Sequence, residues 1–149
     1  MVLKVNILLL VGCDMSPETR YTGYSFSKVV PMGYEDAIEY ATEELKKEGF
    51  GVLTNIDVRA TLKKKIDVDL TPYTILGACN PRHAFNALQK ETELGLMLPC
   101  NIIVYVNDDG ETVIAAIDPV ASMQAIDNPE LGETAMEVQS KLRRFVENL

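Results

Sequence analysis

Apolar and polar residues follow two different periods along the chain, and the changes of period mark the predicted elements. Alternating runs rich in β-branched and aromatic residues predict strands, whereas apolar residues spaced three and four positions apart predict helices. The strand-like runs cover residues 24–30, 52–58, 73–79, 98–106 and 112–117. The helical stretches cover residues 34–47, 59–66 and 81–89, and a C-terminal segment that begins after Asn128-Pro129.

Local signals support several of these boundaries. Asn80 precedes Pro81, and this order starts a helix because the asparagine caps free amides and the proline loses no hydrogen bond there. Residues 107–110 end in glycine between two apolar runs and predict a hairpin. Alternation in the second strand places one set of side chains on a common face, namely Val52, Thr54, Ile56 and Val58.

The order of strands and helices predicts an α+β fold. We expect a single two-layer domain in which a mainly antiparallel sheet is covered by helices. A chain of 149 residues has room for one domain of ordinary size. We assign residues 22–149 to that domain and residues 1–21 to an N-terminal extension, an apolar segment followed by a polar linker over residues 16–22.

The composition and charge of the chain limit the classes of molecule that we expect it to bind. The chain is 47% hydrophobic and 24% charged, which is typical of a globular domain. Its formal net charge of -8 repels phosphate backbones, so we expect no nucleic-acid partner. The apolar run over residues 7–13 is far shorter than the roughly 20 residues of a membrane-spanning helix.

The N-terminus leaves two localisations open. Three cysteines, an odd number, do not make a disulfide scaffold, which favours a reducing compartment and a cytoplasmic protein. The alternative is a lipoprotein, because Leu10-Val11-Gly12-Cys13 resembles a lipobox whose cysteine is acylated. Only twelve residues precede Cys13, which is short for a secretory signal, and an extra apolar strand explains the run as well. A membrane partner is expected only if Cys13 is lipidated.

Two short segments each combine a cysteine thiol with an asparagine amide. Cys79-Asn80 follows the third predicted strand, and Cys100-Asn101 opens the fourth. If these strands are neighbours, both pairs would converge on one spot beside the N-terminus of the helix at Pro81. Such a spot suits a small-ligand pocket, or a nucleophile or redox pair, since a helix N-terminus favours a thiolate. Cysteine is also a common core residue, so burial alone accounts for both thiols.

The other candidates are His83, Asp57 and Asp118. His83 is the chain's sole histidine, and with Cys79 and Cys100 it supplies three ligands, fewer than a structural zinc site takes, so we expect no metal. Asp118 lies before Pro119 and either caps the next turn or points toward the cysteines, with capping favoured. Asp57 precedes the basic run 59–65 and would contribute to an anion pocket.

Four ordered blocks of sequence resemble domain-of-unknown-function family 302. They cover residues 48–58, 73–81, 95–101 and 116–119. The resemblance extends over residues 24–149 and implies a single α+β domain similar to one half of the TATA-box-binding-protein fold, usually as a homodimer. It names no reaction and no cofactor. The family's motif maps onto Gly51, Asp57, Gly77, Cys79, Asn80, Pro81, Leu98, Pro99, Cys100, Asn101, Asp118 and Pro119.

These observations support two hypotheses for the function. The favoured one is a homodimeric, non-catalytic module that binds a small ligand or serves regulation through a pocket formed by the Cys-Asn pairs. We find no phosphate-binding loop, metalloprotease motif or nucleophile elbow in the sequence, so we expect no enzyme of those classes. The alternative is a thiol-dependent redox or sulfur-transfer protein that uses Cys79 as the nucleophile and Cys100 to resolve it.

Overall fold

The structure is a computed structural model, and it describes residues 17–149. Its strands are β1 (Arg20–Tyr21), β2 (Ser25–Val30), β3 (Gly51–Asp57), β4 (Tyr73–Cys79), β5 (Cys100–Val106) and β6 (Thr112–Ile117). Its α-helices are α1 (Tyr34–Lys47), α2 (Val58–Ile66), α3 (Pro81–Lys90), α4 (Pro119–Ser122) and α5 (Gly132–Glu147). Two 3-10 helices, Thr92–Met97 and Pro129–Leu131, complete the described elements.

The strands form one six-stranded sheet in the order β1-β2-β6-β5-β4-β3, and every neighbouring pair is antiparallel. Strands β4 and β5 lie in its interior, with Ala78 paired with Cys100 and Leu76 with Ile102. The hairpin between β5 and β6 forms where residues 107–110 predict it, and Gly110 has a φ of 76° in its turn. The predicted α+β class and mainly antiparallel sheet are therefore confirmed.

Helices α1 and α5 pack on one face of the sheet, which we call the inner face. The main hydrophobic cluster joins apolar residues of α1 and α5 to inner-face residues of β2, β4, β5 and β6. On α1, the buried residues Ala37, Ala41 and Leu45 are spaced four apart, as a helix stripe requires. A second, smaller cluster of Ala87, Leu94 and Leu131 lies under α3 and the two 3-10 helices. The domain thus has two adjacent cores.

The structure corrects two details of the prediction. The segment predicted as a linker contains β1, which pairs with β2 through Arg20 opposite Ser27, so the sheet begins earlier than expected. The common face predicted for the second strand is wrong, because a bulge between Val52 and Thr54 reverses the alternation. As a result, Val52 packs on the main core while Thr54 and Ile56 lie on the opposite, outer face. Val58 is outside the strand and starts α2.

The N-terminal expectations fall outside the described residues. The lipobox-like cysteine, Cys13, and the apolar run before it are not among residues 17–149. Within that range, none of the helices combines the length and apolarity needed to cross a membrane.

The side chains of Thr54 and Pro99 pack closely against the backbone of Gly77. A Cβ atom added there would lie 2.2 Å from the Thr54 Oγ1 and 2.7 Å from the Pro99 Cγ. The neighbouring strand offers a matched position, because a Cβ on Gly51 would meet nothing within 4 Å.

We predict that Gly77→Ala destabilises the protein by about 1–3 kcal/mol, because the added methyl group overpacks the site against Thr54 and Pro99. Gly51→Ala should change the free energy of unfolding by less than about 0.5 kcal/mol. Urea unfolding followed by circular dichroism measures both. Equal stability of the two variants would contradict the close approach at Gly77.

Candidate functional site

The two thiols of the described chain lie at one end of the sheet, on neighbouring strands. Cys79 is the last residue of β4, and Cys100 is the first residue of β5. The register pairs Ala78 with Cys100, so the two cysteines are diagonal neighbours. Neither is in a disulfide. The structure thus places Cys79 and Cys100 at the same end of the sheet, where both residues line one cavity.

Asn80 connects this strand end to α3. Its side-chain oxygen accepts a hydrogen bond from the His83 backbone N–H at 3.3 Å, and Pro81 occupies the first turn. On the other side, Gly49 has a φ of 83°, and a Cβ there would lie 3.0 Å from the Asn80 Nδ2. A side chain at Gly49 would thus be strained and would crowd the asparagine.

A small apolar cavity lies beneath Cys79 and Cys100, at the junction of the two cores. It gives water-sized groups about 40 Å³ of room, which is space for about three of them at roughly 10–15 Å³ each. Its walls combine side chains of the sheet, of α3 and α5, and of the segments between them. The lining residues are Phe50, Ala78, Cys79, Asn80, His83, Ala84, Ala87, Leu94, Leu98, Cys100, Met123, Leu131, Thr134, Ala135 and Val138.

A polar groove between α3 and α5 adjoins this cavity. Asn80, His83 and Thr134 line both spaces, so they form the boundary between them. The His83 Nδ1 lies 3.5 Å from the Glu137 Oε2, which links the two helices across the groove. The remaining groove residues are polar or charged, namely Arg82, Asn86, Gln89, Lys90, Glu133 and Lys141.

Burial makes both thiols weak acids. Burial raises the pKa of Cys100 from 9.0 to about 11, and the nearby Cys79 adds to the effect. Burial also raises the pKa of Cys79. A thiol with a raised pKa stays protonated at neutral pH, whereas a nucleophile or metal ligand acts as the thiolate. The arrangement therefore favours contact with apolar groups over nucleophilic chemistry.

The remaining predicted site residues do not join the cavity. Asn101 is exposed and pairs with Gly77, so it belongs to the outer face, opposite Cys100. Asp118 lies at the same end of the sheet as the cysteines, but its carboxylate caps α4 through the Val120 N–H and accepts a bond from Gln139. The capping role favoured for this residue is thus the one that its contacts show.

Asp57 lies at the other end of the sheet. It pairs with Thr74, five residues along β4 from Cys79, while Cys79 itself pairs with Gly51. Its carboxylate caps α2 by accepting a 2.9 Å hydrogen bond from the Ala60 N–H. The described structure places this carboxylate in a helix cap, apart from the thiols.

The structure also bears on metal ligation. Within residues 17–149, no three His, Cys, Asp or Glu side chains group so that they would hold a metal ion. Cys79, His83 and Cys100 all border the cavity, yet His83 is directed to Glu137 through its Nδ1.

Sequence reasoning missed most of the cavity wall. Leu94 comes from the 3-10 helix Thr92–Met97, Met123 from the residue after α4, and Thr134 from the start of α5. These residues lie far apart in the sequence and belong to no motif. The one signal was the apolar stripe of the C-terminal helix, which includes Ala135 and Val138.

The sheet has helices on one face and a cavity at the end that carries the two cysteines, which defines a small α+β domain. Comparison with known proteins identifies the family of this domain. The family described as "Domain of unknown function DUF302" matches residues 26–149. The chain belongs to this family, as the resemblance of its sequence blocks indicates. The residue range of the match includes Cys79, Asn80 and Cys100 and the helices that surround the cavity.

A solved structure supports the same assignment. It is the "uncharacterized conserved protein DUF302 from Bacillus stearothermophilus", which is 33% identical, with a TM-score of 0.76. The match covers 82% of this chain and 94% of that chain. No curated protein matches the chain. The comparisons thus give the family and the fold, and they name no activity.

We predict that Cys100 resists alkylation in the folded protein. In a Cys13→Ser background, iodoacetamide at pH 8 should label Cys100 about 100-fold more slowly than the unfolded chain, since a pKa two units higher lowers the thiolate fraction by that factor. Cys79 should react faster than Cys100. Mass spectrometry of peptides over time measures both rates.

The stability that the buried Cys100 thiol provides changes with pH in one direction. The folded state favours the neutral Cys100 thiol, so the stability that its burial provides is complete below the ordinary pKa of 9.0 and is lost as pH rises through about 11. Labelling of Cys100 should therefore accelerate up to pH 11. A labelling rate at pH 8 equal to that of the unfolded chain would contradict the buried, protonated thiol.

Proposed function

We propose that this protein is a homodimeric module that binds a small ligand without converting it. The observation that carries the proposal is the apolar cavity under Cys79 and Cys100, which adjoins a polar groove. A concave apolar site with a few polar groups at its boundary is the usual form of a ligand site. Cys79, Asn80 and Cys100 line it, whereas Asn101, the fourth residue of the two Cys-Asn pairs, lies on the outer face.

The size of the cavity limits what enters it. Sites for drug-sized molecules have about 300–1,000 Å³, whereas this cavity gives water-sized groups about 40 Å³. Only a group of about three heavy atoms fits without movement of the walls. The ligand, or the part of it that is buried, is therefore small and apolar.

Thiol chemistry is the less favoured alternative. A redox or sulfur-transfer role for Cys79 and Cys100 needs an accessible thiolate. Burial raises the pKa of both thiols, and Cys100 is only 7% exposed. These properties support a role of the buried Cys100 as an apolar lining residue of the cavity.

The outer face of the sheet supports the homodimer. The register places Ser27, Ala115, Ile103, Ile75 and Ile56 in one cross-strand row. A second row contains Val29, Val113, Tyr105 and Tyr73, and the two tyrosine rings stack with centroids 5.7 Å apart. From β2 to β3 no residue of either row is charged, and none belongs to the two hydrophobic clusters. Beyond Ser27 the first row ends in Arg20 of the edge strand β1.

The dimensions of this face are adequate for self-association. Five strands spaced about 4.8 Å apart and about six residues of about 3.3 Å each span roughly 480 Å² of flat area. A standard interface buries about 800 Å² of accessible surface per partner, and side chains make the accessible area larger than the flat one. The two rows carry no charge between β2 and β3, which lets two chains of charge -8 meet there without acidic residues in contact.

We predict that Ala87→Leu abolishes binding of a small apolar probe. Ala87 lines the cavity and is 5% exposed, and the three added carbons occupy the space that the probe would use. Xenon binding followed by amide chemical shifts is the measurement. Ala60→Leu, at an exposed position of α2, is the control and should leave the shifts around Ala84 and Ala135 unchanged.

Wild-type protein without xenon-dependent shifts at the cavity would contradict a binding cavity. Equal shifts in wild type and in folded Ala87→Leu would place the probe elsewhere and overturn the assignment of this site.

We predict that Ile103→Lys converts a dimer into a monomer, because it places a charge at the centre of the outer face. Leu96→Lys is the control, since Leu96 is 84% exposed and lies on the 3-10 helix Thr92–Met97, outside the sheet. Light scattering after size-exclusion chromatography measures the mass. A monomeric wild type at micromolar concentration, or a dimeric Ile103→Lys, would overturn the homodimer.

A further inference from the structure

We infer that the ligand is a short-chain carboxylate, whose hydrocarbon tail of about three carbons occupies the cavity while its carboxylate lies in the α3–α5 groove. The inference rests on the proposed function, because it names the class of ligand for the same cavity. It is carried by the contact between an apolar space and a groove with an excess of cations.

The cavity determines the size and polarity of the ligand's buried tail. Apart from Asn80, His83 and Thr134, its walls are aliphatic, aromatic or sulfur-bearing side chains. Room for about three water-sized groups corresponds to about three methylene or methyl groups. A charged or strongly polar group inside would lose its water without gaining partners. The buried end of the ligand is therefore hydrocarbon.

The charges in the groove determine which charge is favoured on the polar head of the ligand. Arg82, Lys90 and Lys141 line the groove together with Glu133 and Glu137, so the Lys and Arg side chains outnumber the carboxylates by one. This local excess contrasts with the whole chain, where 22 acidic residues outnumber 14 basic ones. An anionic head is therefore favoured here over a cationic one.

Two polar groups on the boundary are available to the head. Among the described residues, the Thr134 hydroxyl and the Asn80 Nδ2 make no hydrogen bond, since the amide uses only its oxygen to cap α3. Both residues line the cavity as well as the groove. A carboxylate attached to a tail in the cavity would be near these donors, because the same residues bound both spaces.

The test compares ligands that differ in one property at a time. Binding of acetate, propionate, butyrate and pentanoate to the full chain is measured by amide chemical shifts. Each methylene should tighten binding about fourfold up to butyrate, and pentanoate should gain no more. Butanol and butylamine, which keep the tail and change the head, should bind at least roughly tenfold more weakly than butyrate.

Three variants locate the two ends of the ligand. Lys141→Gln should weaken butyrate severalfold and leave butanol unchanged, while Lys64→Gln, on the exposed surface of α2, should change neither. Ala87→Leu should remove the dependence on tail length. Xenon reports on the cavity in the two lysine variants, and the dispersion of the amide spectrum reports on the fold of Ala87→Leu, so a misfolded protein is distinguished from one that has lost a contact.

The outcomes separate this inference from the proposed function. If butanol or butylamine binds as tightly as butyrate at the cavity, the carboxylate class is overturned and the binding cavity stands. If affinity does not depend on tail length, or Lys141→Gln leaves butyrate binding unchanged, the inference also fails. If neither xenon nor any of these compounds shifts the cavity resonances, both proposals fall.

Discussion

The pairing of β4 with β5 is the constraint on which the rest of the structure depends. It places Ala78 opposite Cys100 and so brings two distant sequence blocks to one end of the sheet. The same pairing sets Gly77 beside Asn101 on the outer face, where Thr54 and Pro99 leave no room for a side chain. Because side chains alternate across a strand, a slip of one residue would exchange the two faces.

Much of the fold was predictable because its signals are local. The hairpin around Gly110, the capped start of α3 at Asn80 and the apolar stripe of α5 each depend on residues close in sequence. The likeness to one half of the TATA-box-binding-protein fold and the homodimer remain predictions. The bulge after Val52 could not be foreseen, because the sequence of β3 carries no local signal at the position where its register with β4 shifts.

The candidate site was predictable only in part, and the reason is physical. Cys79, Asn80 and Cys100 were found because they interrupt the pattern of neighbouring strands. The opposite wall, including Leu94, Met123 and the start of α5, is assembled by packing of the second core against the first. Apolar residues in separate segments form no sequence motif that would predict this junction. The cavity could therefore be found only from the structure.

The two cores also explain why a cavity exists at this place. The main core is filled by large side chains such as Leu45, Leu142 and Phe145 against the sheet, whereas α3 contributes Ala84 and Ala87 toward the cavity. Small residues at a junction leave space that neither core fills, and such space costs stability unless a ligand occupies it. A cavity at this junction, next to a cation-bearing groove, is the feature on which the proposed binding function depends. The outer face is a separate surface, because the sheet lies between the two.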